Sequence, residues 1–124
     1  MDSNGTPYPT GQPAPNRMPE DLPHEYDDVR LQLLGQNGPT DNYDNTPITK
    51  SGFVLSYEPV AGGNPLGDVM SSFQPGALPA LSQLAAEFCT CDRWFSSLPG
   101  PTVPNRMFLL AGSSRGNPKS PSAL

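Results

Sequence analysis

Three prolines within six residues, Pro99, Pro101 and Pro104, leave the stretch Leu98-Pro99-Gly100-Pro101-Thr102-Val103-Pro104 little conformational choice. Each ring fixes φ and removes a backbone donor, so the stretch can be neither a helix interior nor a central strand. It reads as a stiff loop that ends where a helix begins. Pro104 suits the first helical position, where its missing N–H would be unpaired in any case, and Asn105 to Ala111 continue as a mostly apolar helical run. Thr102 therefore sits at or beside a helix N-terminus, where free N–H groups and the dipole favour an anion. A hydroxyl beside a phosphate-sized anion site is what a phosphoryl-transfer nucleophile needs. Threonine is also a common helix cap, and on spacing alone the cap is the simpler reading.

The rest of the chain offers limited apolar material to support this loop. It holds 17 prolines and 12 glycines in 124 residues with a hydrophobic fraction of 35%, enough for one domain at most. The net charge of −5 argues against a nucleic-acid partner, which needs a basic patch, and against charge-driven docking on anionic membrane. No apolar run approaches the length of a membrane span, and the first residues lack the basic-then-apolar layout of a secretory signal. Cys89 and Cys91 are one residue apart. An i,i+2 disulfide would be strained and no neighbouring ligands complete a metal site, so the pair reads as small buried hydrophobes.

Along the chain, residues 1–19 are rich in Pro, Gly, Asn and Thr and read as a surface loop or flexible tail. Leu22, Tyr26, Val29 and Leu33 recur at helical spacing with Gly35 as a stop, and Glu25, Asp27 and Asp28 complement the dipole of its first turn. Those three carboxylates point in different directions and read as a solvated face, not a metal site. Gln36 to Lys50 is a polar excursion, Phe53 to Tyr57 a short apolar element, and Asp68 to Phe73 a candidate helical turn. A second helix runs from about Pro79 to Phe88, with Leu78, Leu81, Leu84, Ala85 and Phe88 on one face. Cys89, Cys91, Arg93 and Phe95 then alternate with Thr90, Asp92, Trp94 and Ser96, a strand-like pattern in which Trp94 and Phe95 are read as core packing. Helix, strand, loop, helix is an α/β order, and ligands of such sheets collect beyond the strand ends, where Thr102 lies.

Leu78-Pro79-Ala80-Leu81, Leu84-Ala85-Ala86-Glu87-Phe88, Cys91-Asp92-Arg93-Trp94-Phe95-Ser96-Ser97 and Gly100-Pro101-Thr102-Val103-Pro104-Asn105-Arg106 together resemble the phosphoesterase family. That family contains the bacterial and plant non-specific phospholipases C and related acid phosphatases. Asp21-Leu22-Pro23-His24-Glu25, Ser51-Gly52-Phe53-Val54 and Val69-Met70 match in the same order, so the likeness runs over roughly residues 19 to 116.

The resemblance implies an alkaline-phosphatase-like α/β/α sandwich, part of it in this chain, and hydrolysis of a phosphoric ester of the phospholipase C type. Residues 1–19 would be a tail, 20–116 a partial phosphoesterase domain and 117–124 a short polar end. Thr102 would be the nucleophile and one ligand of a divalent metal, whose other ligands would come from a Glu-Asn motif before residue 1 and acidic residues after residue 124. His24, the only histidine, matches a region where related enzymes place an active-site imidazole; its plainer reading is a solvated residue at a helix start. Asn105 could contact substrate or close the loop, and Arg106 is expected to be structural, with Asp92 as a partner. Phospholipid or another phosphate ester would be the substrate. The alternative is a catalytically silent fragment lacking metal ligands, with at most a binding role.

Overall fold

Contact between the first two helices depends on a residue with no side chain. Helix α1 spans Tyr26–Leu34 and helix α2 spans Phe53–Tyr57. Gly52, at the head of α2, lies so close to α1 that a methyl group there would overlap the Leu31 carbonyl oxygen. The approach lets the Gly52 N–H donate to the Gln32 carbonyl at 3.2 Å and the Lys50 N–H to the Leu33 carbonyl at 2.8 Å. Gln32 Nε2 adds a bond to Ser56 Oγ at 3.0 Å. Val54 and Tyr57 are fully buried beside Leu34 and Ala61, which makes α2 the centre of a small core.

The computed structural model of the chain describes residues 1–38 and 46–120. After α2 come two 3-10 turns, Glu58–Val60 and Leu66–Met70, then α3 at Pro79–Glu87 and α4 at Thr102–Ala111. The second turn overlaps the helical turn expected at Asp68 to Phe73. Residues 1–19 are irregular but tied down. Ser3 bonds Glu58 through both its N–H and its hydroxyl at 2.8 Å, and the segment around Pro13 runs beside Ser72 in an isolated parallel bridge. The middle of the expected 36–50 excursion (residues 39–45) and the end of the polar tail (121–124) lie outside the described residues.

Helix ends follow local chemistry closely. Gly35 closes α1 at φ 76°, a left-handed value that a side chain would penalise. Pro79 opens α3 as expected, because its ring fits the first turn. Helix α4 begins at Thr102, two residues before Pro104. Proline is tolerated throughout a first turn, so Pro104 takes the third position, and Gly112 ends the helix in the left-handed region at φ 68°.

The strand expected at Cys89 to Ser97 does not form. The described residues contain helices and no β-strand, so they do not build the α/β/α sandwich. Alternation of side chains makes a strand only where a neighbour accepts and donates the backbone ladder, and no such neighbour lies beside this segment among the described residues. Cys89 and Cys91 are therefore exposed rather than buried, and Trp94 and Phe95 are 82% and 80% exposed rather than in a core. The apolar face of α3 is likewise open, with Leu81, Leu84 and Phe88 all more than half exposed. Among the described residues no helix is long and apolar enough to cross a membrane.

Candidate active site

Pro101 and Pro104 are buried to less than 2% exposure, so the two rings anchor the start of α4 from below while Thr102 between them is exposed. Pro101 is the N-cap and makes no side-chain cap hydrogen bond. An α-helix normally opens with four unpaired N–H groups. Here the two prolines delete two of them, at the cap and at the third position, and the N–H groups of Thr102 and Val103 remain. Thr102 is the first residue of the helix and not its cap, and no side chain among the described residues hydrogen-bonds its hydroxyl.

The loop in front of Thr102 is shaped by one side chain. Asn105 Oδ1 accepts from the Leu98 N–H at 3.0 Å, and Nδ2 donates to the carbonyls of Leu98 (2.9 Å), Gly100 (3.2 Å) and Pro101 (3.0 Å). Side chains on a helix lean toward its N-terminus, which is why the fourth residue of α4 reaches back over the loop. Of the two readings of Asn105, substrate contact and loop closure, these bonds are those of loop closure. Both amide hydrogens and the acceptor are engaged by backbone, so Asn105 closes the loop. On its other side Asn105 borders an open depression of about 410 Å³ lined by Trp94, Phe95, Ser96, Ser97 and Leu109.

Gly100 carries the loop onto α1. A Cβ at this position would lie 3.5 Å from the Cα of Tyr26, the first residue of that helix. The loop that leads into α4 thus touches the head of α1, and His24 lies two residues before Tyr26. Pro23, just ahead of His24, is fixed in turn by Gln32, whose Nε2 donates to its carbonyl at 2.7 Å. Sequence reasoning missed Gln32. Its only signal is a polar side chain on a helix face that also carries Val29 and Leu33.

His24 is exposed, with Nδ1 2.7 Å from the Leu22 carbonyl oxygen and 3.9 Å from Asp21 Oδ2. A carbonyl only accepts, so Nδ1 carries the hydrogen and the charged imidazolium is favoured. The Leu22 carbonyl is the main cause that raises the His24 pKa above the usual 6.5. Partial burial opposes it, and Asp21, Glu25 and Asp28 add to it. Glu25 and Asp28 are themselves occupied with the head of α1. They form a capping box in which the Glu25 N–H donates to Asp28 Oδ2 at 3.0 Å.

Other expected pairings are not made. Arg106 is exposed and forms no ion pair with Asp92 among the described residues. Nowhere among them do three His, Cys, Asp or Glu side chains converge as a divalent cation would require.

The chain is 38% identical over 95 residues to non-specific phospholipase C5 of Arabidopsis thaliana, an alignment covering 75% of this chain and 18% of that protein. With non-specific phospholipase C6 of the same plant it shares 39% over 94 residues, 76% of this chain and 17% of the relative. For non-specific phospholipase C1 the figures are 36% over 94 residues, 75% and 16%. The chain thus matches less than a fifth of the length of these relatives. The profile of the phosphoesterase family matches residues 5–123, nearly the whole chain including His24, Thr102 and Asn105, and the chain belongs to the phosphoesterase family.

Proposed function

We propose that this chain carries the nucleophile loop of a phosphoric-ester hydrolase acting on phospholipid-type phosphodiesters, with Thr102 as the attacking group. One observation carries the reading. The exposed Thr102 hydroxyl stands in the first turn of α4 with no competing side-chain bond, on a loop pressed against the helix that follows His24. The relatives named as phospholipases C supply the substrate class.

In this reading Thr102 Oγ1 attacks phosphorus as its proton passes to solvent water, the bond to the leaving alcohol breaks, and a phosphothreonine forms that water then hydrolyses. The N–H groups of Thr102 and Val103 face the charge that builds on the phosphoryl oxygens. His24, held toward its charged form, binds a phosphate oxygen or protonates the departing alcohol oxygen. Asn105 contributes by holding the loop. The α/β/α sandwich belongs to the same reading, as the architecture of a polypeptide of the relatives' length.

The divalent metal implied by the family does not fit the described residues. Thr102 offers one neutral oxygen, whereas hard divalent cations take about six oxygen ligands, and no acidic or histidine cluster stands near to complete the set. This observation favours a second reading for the chain taken alone, a segment that binds phosphate esters without turning them over. No described side chain accepts the Thr102 proton as the new bond forms, which points the same way.

The test is hydrolysis of a chromogenic phosphodiester with added divalent cation, by this chain and by a polypeptide of the relatives' length that carries it. Thr102→Ala should abolish turnover in the active form, while Thr102→Ser keeps a measurable fraction because the hydroxyl survives. Near-normal turnover by Thr102→Ala would remove the nucleophile assignment.

A further inference from the structure

We infer that Asn105 is a positioning residue whose side-chain amide replaces the backbone hydrogen bonds that the prolines deny to the loop before Thr102. The inference rests on the reading of Thr102 as nucleophile, and adds to it the device that fixes the nucleophile in place.

Residues 98–101 contain four carbonyls but only two N–H groups, because Pro99 and Pro101 have none. Such a loop cannot close on itself through backbone bonds, and backbone groups that are half-buried without partners cost free energy. Asn105 supplies what is missing. Three of the four carbonyls and one of the two N–H groups bond to this single amide, at 2.9–3.2 Å. The partners also fix its orientation: Oδ1 must face the Leu98 N–H and Nδ2 the carbonyls. Two hydrogens shared among three carbonyls hold Leu98, Gly100 and Pro101 at one point. Pro101 is the residue immediately before Thr102, so the peptide that carries the nucleophile leaves the clamp with its direction already set.

No other amino acid satisfies this set. Aspartate keeps the acceptor for Leu98 but turns a donor into a carboxylate facing three carbonyl oxygens. Glutamine keeps the amide but places it one methylene further out. Alanine removes all four bonds and leaves the loop to water. Each change loosens the approach of Thr102 without touching its hydroxyl, so the effect falls on the reacting geometry more than on substrate affinity.

The experiment compares Asn105→Ala, Asn105→Asp, Thr102→Ala and the parent in the active, metal-supplemented polypeptide, with kcat and KM for a chromogenic phosphodiester from pH 5 to 8. Amide exchange of Leu98 is followed in the same samples. Asn105→Ala should lower kcat by about 10- to 100-fold with KM within about threefold, as expected for lost positioning, and should speed exchange at Leu98. Asn105→Asp should be as poor at pH 8 but regain activity relative to the parent toward pH 5, because facing three carbonyl oxygens raises the carboxyl above its ordinary range and the protonated acid then donates to a carbonyl. A merely structural role would lower the melting temperature of both variants and leave kcat unchanged at temperatures well below it. Unchanged kcat in Asn105→Ala, despite faster Leu98 exchange, overturns the inference. A drop confined to KM does the same, because it would make Asn105 a substrate contact. Full activity in Thr102→Ala instead overturns the nucleophile reading, and the positioning of Thr102 with it, while the Leu98 exchange still reports the clamp.

Discussion

Helices α1 and α4 are nearly equal in length, nine and ten residues, and the loop into α4 lies against the head of α1 where Gly100 approaches Tyr26, yet the two heads are finished in opposite ways. The head of α1 is chemically closed. Glu25 and Asp28 satisfy each other's backbone in a capping box, and Asp27 and Asp28 place negative charge in the first turn. The head of α4 has no side-chain cap and no acidic residue, and prolines replace two of its donors. Its stability comes from elsewhere, from the burial of Pro101 and Pro104 and from the Asn105 bonds on the loop side. A helix start can thus be held firmly from the inside while its outer amides and one hydroxyl stay free. The closed head is occupied by its own side chains, and the open head leaves the Thr102 hydroxyl accessible.

The largest expected effect tests the open head. Thr102→Ala should reduce phosphodiester turnover by several orders of magnitude, the scale seen when a covalent nucleophile is deleted, with little change in melting temperature. A drop in stability of about 1 kcal/mol with turnover intact, the signature of a lost cap, would make the two heads alike. Next comes Gly52→Ala, which tests the frame beneath the closed head. The added methyl meets backbone at Leu31 rather than a movable side chain, so the helices must separate, at a cost of about 1–3 kcal/mol for overpacking. Chemical denaturation measures it, and a neutral substitution would show that α1 and α2 are not held together through this contact. Smaller again is Asp28→Ala. Losing one side of the capping box should cost about 1 kcal/mol in the same assay and leave kcat within about twofold of the parent, since neither box side chain bonds Thr102 or Asn105 and Asp28 is the smallest of the three carboxylate influences on His24. A large loss of turnover there would show that the closed head also works in the reaction.

The helix punctuation was legible because it is local. Gly35, Pro79 and the Phe53–Tyr57 run act through φ, a missing N–H or short-range apolar contact, and each stands where its residue type predicts. Thr102 at a helix start was legible for the same reason, although proline's tolerance of the whole first turn hid the position by two residues. The stretch from Cys89 to Phe95 was not legible. Its alternating pattern describes a preference that becomes a strand only beside another strand, and no residue within the segment encodes whether one is present. Asn105 falls between these cases. A loop with two prolines announces carbonyls that lack donors, and an amide at the fourth position of the next helix can reach them. The bonds depend on how the loop folds back, which spacing alone does not determine, so the residues by themselves leave substrate contact and loop closure level.

The smallest effect concerns whether the closed head influences the open one, and His24 is the link. Its folded-state pKa is raised above the usual 6.5, first by the Leu22 carbonyl and then by Asp21, Glu25 and Asp28, against the opposing pull of burial. A raised pKa means that folding favours the proton. The stabilisation is therefore complete below pH 6.5 and fades as pH climbs through the raised value. The His24 side chain is 56% exposed, so solvent screens the carboxylates and the change in overall stability is slight. The titration itself is the sensitive measurement. Following the imidazole signals by NMR should give a value above 6.5, and Asp21→Asn should lower it only partway, because the carbonyl bond remains. In the active polypeptide, the part of turnover that depends on the imidazolium should fall as pH passes that same value, and His24→Gln should flatten this limb. A His24 pKa at or below 6.5 would mean that the acidic head of α1 does not keep its neighbour charged, and the two helix heads would then be adjacent without being coupled.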